Sequence, residues 1–178
     1  MTELKPVAEA DSTDRRGFWE RLYGALTLDA AVFEEVQHDA RSMAQAAGVV
    51  GLAAVARGLG FGDIFHSLVA GFVGWVVAAA AVWIIGVKIL EHRSDYPELL
   101  RTVGFATAPR VLLVLGILPL GPLRPLLWLF VLFLMVIAFV VAVRQALDVT
   151  TDRAVFVCLV AALLNVLPSV LLGNMAWL

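Results

Sequence analysis

Between His66 and Lys88 the chain runs from Ser67 to Val87 without a charged side chain, and from Ala154 to Leu178 it again carries none. A hydrocarbon core of about 30 Å takes roughly 20 apolar residues as a helix, so each run is long enough to cross a bilayer. Pro125 to Val143, between Arg124 and Arg144, is a third run, almost entirely large aliphatic and aromatic. Two more stretches are each broken by one arginine. Ala44 to Leu59 contains Arg57, and Thr102 to Leu123 contains Pro109 and Arg110. Counting both predicts five spans, at 44–61, 67–88, 102–121, 125–144 and 154–175. The fold class is therefore all-α, a polytopic five-helix transmembrane bundle.

Composition agrees, since 61% of the residues are hydrophobic and only 16% charged, against roughly 45–50% apolar in a soluble domain. A water-soluble enzyme is not expected on this ground. The net charge of −2 gives no basic field for nucleic acid. Cys158 is the single cysteine, so neither an internal disulfide nor a cysteine metal cage is expected. His38, His66 and His92 fall on separate segments without metal-ligand spacing, and no metal or cofactor is expected.

Flanking charges orient the bundle, because cytoplasmic loops collect Lys and Arg. Five spans place ten basic residues on one side, among them Arg41, Lys88, Arg93, Arg101, Arg144 and Arg153, and only Arg124 on the other. This predicts a cytoplasmic N-terminus and an outside C-terminus. Trp83, Trp128 and Trp177 fall near span ends, where amphipathic rings favour the headgroup level, whereas Trp75 lies deeper as a packing residue. No signal peptide is visible in the acidic, polar start, and the first span serves as its own insertion signal.

Ahead of the membrane domain (44–178), residues 1–16 are polar and charged and are expected to be disordered. Residues 17–43 form a cytoplasmic amphipathic region. Phe18, Leu22 and Leu26 recur at intervals of four, predicting a short helix that lies on the inner leaflet. A second helix starts with Asp29 as N-cap and carries Phe33, Val36, Ala40 and Met43 on one face. Its carboxylates, Glu34, Glu35 and Asp39, form an acidic group able to dock a partner or the basic loop around Arg93 and Arg101; a solvated face is the plainer reading.

Small residues mark helix contacts in lipid. Ala47, Gly51, Ala54 and Gly58 line one face of the first span, Ala70, Gly74 and Ala78 the second, and Ala162, Ser169 and Gly173 the last. The fourth span offers bulk on every side and is expected to face lipid.

Ionisable groups inside a membrane are functional candidates by default. Arg110 lies nine residues beyond Arg101, roughly 13 Å along a helix, and Asn165 roughly 18 Å beyond Arg153, so the two are expected to approach near the midplane. Pro109 frees a carbonyl one turn earlier. The functional reading is an anion or lipid-headgroup contact; the structural reading, which is favoured, is a capped kink with Arg110 snorkelling. Arg57 is expected to pair locally with Asp63. Arg144 and Asp148, four apart, are expected to face each other across one helical turn. Metalloprotease, nucleophile-elbow and phosphate-loop motifs are missing, so no catalytic residue is nominated and a non-enzyme is expected.

Three stretches, VFEEVQHDARSMAQA before the first span, LRTVGFATAPRVLLVL in the third and VAVRQALDVTTDRA between the fourth and fifth, resemble the Yip domain, the Ypt/Rab-interacting protein family, in its prokaryotic branch. The resemblance covers Leu28 to Leu172 and rests on the A-x-A-P of the third span and the A-V-R-Q-A-L-D turn occurring in order. It implies a five-helix membrane domain with a cytoplasmic N-terminus, in a bacterial plasma membrane. Pro109, Arg144 and Asp148 match the family pattern. Eukaryotic members bind Rab-type GTPases and one another in traffic between endoplasmic reticulum and Golgi, roles not carried to this chain. Its RLYGA resembles their D-L-Y-G-P motif only superficially. The expected function is a non-catalytic scaffold or accessory subunit with a protein partner or self-association in the bilayer. The alternative is a channel or transporter using Arg110; a lipid-modifying enzyme is the remote third.

Overall fold

The computed structural model describes residues 16–89 and 94–171, with side chains except at 89 and 164–171. The disorder expected for residues 1–16 thus lies, Arg16 apart, outside the described residues, as do His92, Arg93, Trp177 and the Asn165 side chain. Every regular element among the described residues is helical. In chain order these are α1 (Phe18–Leu26), α2 (Ala30–His38), α3 (Ser42–Phe61), α4 (Ile64–Trp83) with a π-helical extension (Ile84–Ile89), α5 (Tyr96–Phe105), a 3₁₀ segment (Ala108–Ile117), a 3₁₀ turn (Gly121–Leu123), α6 (Arg124–Leu147) and α7 (Thr151–Leu171).

Among the described residues, four stretches are long and apolar enough to cross a membrane: Ser42–Phe61, Ile64–Lys88, Tyr96–Ile117 and Gly121–Leu147. The third begins six residues before the expected 102, because Asp95 and Glu98 close a capping box around Tyr96 and Pro97 and start the helix early. Arg101, read from sequence as a loop residue, is thereby drawn into the helix and buried.

α3 is the hub, packing on α4, α5 and the 3₁₀ segment, while α7 packs on α4, α6 and the π-helical turn. The 3₁₀ segment is unusual, since such runs seldom exceed three or four residues. Pro109 opens it and Arg110 N–H reaches back three residues to Thr107 O at 3.0 Å. Pro109 therefore starts a thinner helix after a break at Ala106 and Thr107, where sequence reading placed a kink. The thinner backbone admits α3: a Cβ on Gly60 would overlap the Leu113 carbonyl oxygen, and one on Gly116 would stand 2.9 Å from Gly60 O.

The small-residue faces are partly displaced. Gly71 meets Ala54, and Gly58 meets Ile64, but Gly74 has nothing within 4 Å. The buried stripe of α4 is Ser67, Trp75, Ala79 and Val82, one position round from the expected ridge, because Trp75 fills the gap between α4 and α5. Its Nε1–H donates to Leu100 O at 2.7 Å. α6 exposes Leu126, Leu129, Phe130, Phe133 and Val136 as expected, yet buries Ala138, Ala142 and Ala146 nearer its end.

The N-terminal helices belong to the same core. Val32, Phe33 and Val36 are fully buried against α5 and α6. Leu22 and Ala25 are also buried, whereas Trp19 and Tyr23 are 71% and 69% exposed. The face of α1 expected to rest on the leaflet therefore packs on protein, since α2 supplies an apolar partner for it.

Candidate functional site

Five arginines organise the polar groups of this domain, and three are tied to other elements. Arg21, 2% exposed, reaches from α1 to Glu35 (2.7 Å), Asp39 (2.8 Å) and Gln45 (2.8 Å). Burial works against its charge, but hydrogen bonds to Asp39 and Glu35 outweigh that and hold its pKa above the ordinary arginine value. Glu34 accepts from Gln145 Nε2 at 3.1 Å. Within the acidic group, Glu35 and Asp39 clamp Arg21, and Glu34, which stays exposed, ties α2 to α6. Arg21 carried no sequence signal, because its partners lie 14 to 24 positions away.

Arg101 donates to the carbonyls of Val36 and Gln37, the last turn of α2, where a cation complements the helix dipole. Arg124 does the same at the opposite end of the bundle, donating to Gly60 O of α3 and Gly116 O of the 3₁₀ segment and lying over the Phe61 ring. Neither helix end has a basic residue in its own last turn, so Arg124 supplies one from α6.

Arg57 and Arg110 have no such ties. Among the described residues neither guanidinium makes a hydrogen bond or ion pair. Asp63, the expected partner of Arg57, instead caps α4, accepting from His66 N–H at 2.9 Å in a left-handed conformation. Both arginines line two adjoining cavities. One, of about 20 Å³, is walled by α3, α4 and the 3₁₀ segment and includes Ser67 and Thr107; the other, of about 50 Å³, opens toward Trp128, Leu132 and Met135 of α6. Among the described residues no carboxylate lines either cavity, and the two positive charges lie within electrostatic reach of each other. The Asn165 side chain, expected from the sequence to approach Arg110, lies outside the described residues.

Arg144 and Asp148 are not joined by an ion pair among the described residues. Asp148 ends α6 at φ 49 and ψ 50, which turns it off the helix and removes the four-residue facing geometry. Asp152, at the start of α7, is held below the ordinary carboxylate pKa, first by the Thr150 hydroxyl and then by backbone N–H groups.

The two caps, the α3 to 3₁₀ contact and the α6 terminus are arranged along one continuous domain, and the Yip1 domain model matches residues 22–172 of it. The chain belongs to the Yip1 domain family. No curated protein and no solved structure matches the chain. The match begins at Leu22, so α2 and most of α1 lie inside the Yip1 domain, consistent with their burial in its core. The three family-pattern residues separate by role in this Yip1 domain: Pro109 lies in the first turn of the 3₁₀ segment, Asp148 ends α6, and Arg144 sits in the last turn of α6. Of the polar residues singled out from the sequence, Arg57 and Arg110 are the pair brought together around interior space.

Proposed function

We propose that this integral membrane Yip1 domain is a non-catalytic scaffold that presents a fixed cytoplasmic platform to a partner or to a second copy of itself. The observation that carries this reading is the locking of α1 and α2 onto the bundle by Arg21 and Arg101. Flexible tethers bind at an entropic disadvantage, whereas a platform ordered beforehand presents its surface already formed. Trp19 and Tyr23, exposed on the outer side of α1, supply aromatic contact area of the kind enriched at interfaces. In this reading α7 is the fifth span, the N-terminus is cytoplasmic and the C-terminus outside, in a bacterial plasma membrane, with the basic residues on the α2 side as support.

The test is cross-linking and mass spectrometry on native membranes, followed by purification in mild detergent. A homo-oligomer or a stoichiometric partner cross-linked to residues 17–41, and lost in Arg21→Gln, is the expected result. A lone monomer with no such cross-links overturns it. The second reading, a channel or transporter for a small solute or lipid, draws on Arg57 and Arg110 beside interior cavities. It requires flux in liposomes that disappears in a folded Arg110→Leu variant.

A further inference from the structure

Two cations share interior space, and among the described residues no anion stands beside them, which is costly in a low-dielectric surrounding. The other arginines of the spans show how the chain ordinarily meets that cost: Arg101 and Arg124 cap helix ends, and Arg144 sits in the last turn of its own helix. Arg57 and Arg110 do neither, although both are only partly exposed. We propose that Arg57 and Arg110 form a binding site for a phosphate-bearing anion, supplied by the headgroup of an anionic lipid in the leaflet on the Arg124 side.

Phosphate fits for three reasons. A guanidinium presents paired N–H donors matched to phosphate oxygens, and two of them around one anion convert mutual repulsion into shared attraction. The Ser67 hydroxyl lies on the same wall and is a further donor. The cavities, about 20 and 50 Å³, admit phosphate oxygens and exclude a bulky solute.

Depth and access favour a lipid source over a free ion. Gly60 packs against Leu113 and Gly116, which sets the register between α3 and the 3₁₀ segment. From the level of Gly60 and Leu113, Arg57 is about 4.5 Å inward at ~1.5 Å per residue, and Arg110 about 6 Å inward at ~2.0 Å per residue. Both heads therefore lie within one side chain's reach of the bundle end, near the boundary of headgroups and acyl chains. The larger cavity is bounded by Leu132, 41% exposed, on the face of α6 where Leu129 and Phe133 are also exposed. A lipid can rest its acyl chains along that face while its phosphate turns in toward the arginines.

The experiment uses the full chain in mild detergent, titrated with phosphatidylglycerol, phosphatidylcholine or inorganic phosphate, with thermal unfolding and native mass spectrometry as readouts. Saturable stabilisation by phosphatidylglycerol and none by phosphatidylcholine is expected. Arg57→Gln and Arg110→Gln should each weaken it by about tenfold, Arg57→Lys and Arg110→Lys by less, and Arg144→Gln not at all. Stabilisation by inorganic phosphate with the same arginine dependence supports the phosphate site and reassigns its source to a free anion. Unchanged affinity in both glutamine variants overturns the proposal. Should those variants fail to fold, the wild-type titration decides: no saturable response to either phosphatidylglycerol or inorganic phosphate overturns it as well.

Discussion

Arg101 Nε lies 3.2 Å from the Val36 carbonyl oxygen, joining the third span to the last turn of α2 across 65 positions of sequence. A span and a surface helix are thereby made one body. Arg101→Gln removes the cation from the α2 dipole, taking one donor from the Val36 carbonyl, which keeps the Ser42 hydroxyl, and one from the Gln37 carbonyl. A loss of about 1.5–3 kcal/mol is expected, as for hydrogen bonds to charged groups. Hydrogen exchange across residues 30–38 should accelerate, while exchange in α6 and α7 stays near wild type; unchanged exchange in α2 would refute this role.

Arg21→Ala should be the more damaging change on that side. It takes from Glu35 and Asp39, 29% and 19% exposed, the cation they share, although Glu35 keeps Arg16 at 3.7 Å. Removing one partner of a buried pair costs about 3–5 kcal/mol, and solvent access to the carboxylates brings the expected value to the lower end. Chemical unfolding of the detergent-solubilised chain measures it. Adding Glu35→Gln and Asp39→Asn should recover part of the loss.

Two glycine substitutions are expected to move stability in opposite directions. Gly60→Ala places a methyl against the Leu113 carbonyl, forcing α3 from the 3₁₀ segment at a cost of about 1–3 kcal/mol. Gly74→Ala meets open space and gains about 0.5–1 kcal/mol from helix preference. Thermal midpoints of the two variants, read beside wild type, check the sign of each.

Trp75→Phe keeps the ring in its buried place but deletes the 2.7 Å hydrogen bond to Leu100 O. A loss of about 1 kcal/mol is expected, the net value of a typical hydrogen bond. A Trp75→Phe midpoint equal to wild type would show that this bond contributes nothing.

Asp152 contributes a pH dependence at the start of α7. Its pKa is lowered from the model-compound value of 3.8, first by the Thr150 hydroxyl. A depressed carboxyl stabilises the fold fully above its unfolded pKa, and that contribution fades as pH falls through the lower folded value. The start of α7 should therefore be indifferent to pH from 5 upward and weaken only below about 4. An NMR titration of the carboxyl gives the folded pKa directly; a value at or above the unfolded one would contradict the arrangement.

What the sequence determined by itself is the solvent. Uncharged runs such as Ser67–Val87 and Pro125–Val143 specify helices in hydrocarbon, because a bilayer leaves backbone polar groups no partner outside the helix. Asp29 as a cap, Pro109 as a break and the exposed bulk of α6 were legible for the same reason: each is a local rule, confined to a few neighbouring residues. The tertiary structure decided which charges find one another. Glu35 and Asp39 look like a surface until Arg21 is brought to them, Arg57 and Asp63 look like a pair until the α4 cap claims the carboxylate, and Arg144 and Asp148 look like neighbours until a positive φ separates them. Nor does any sequence period announce the 3₁₀ geometry that brings Arg110 beside Arg57. An electrostatic partnership depends on distance through space, and the chain fixes that distance only when its helices pack.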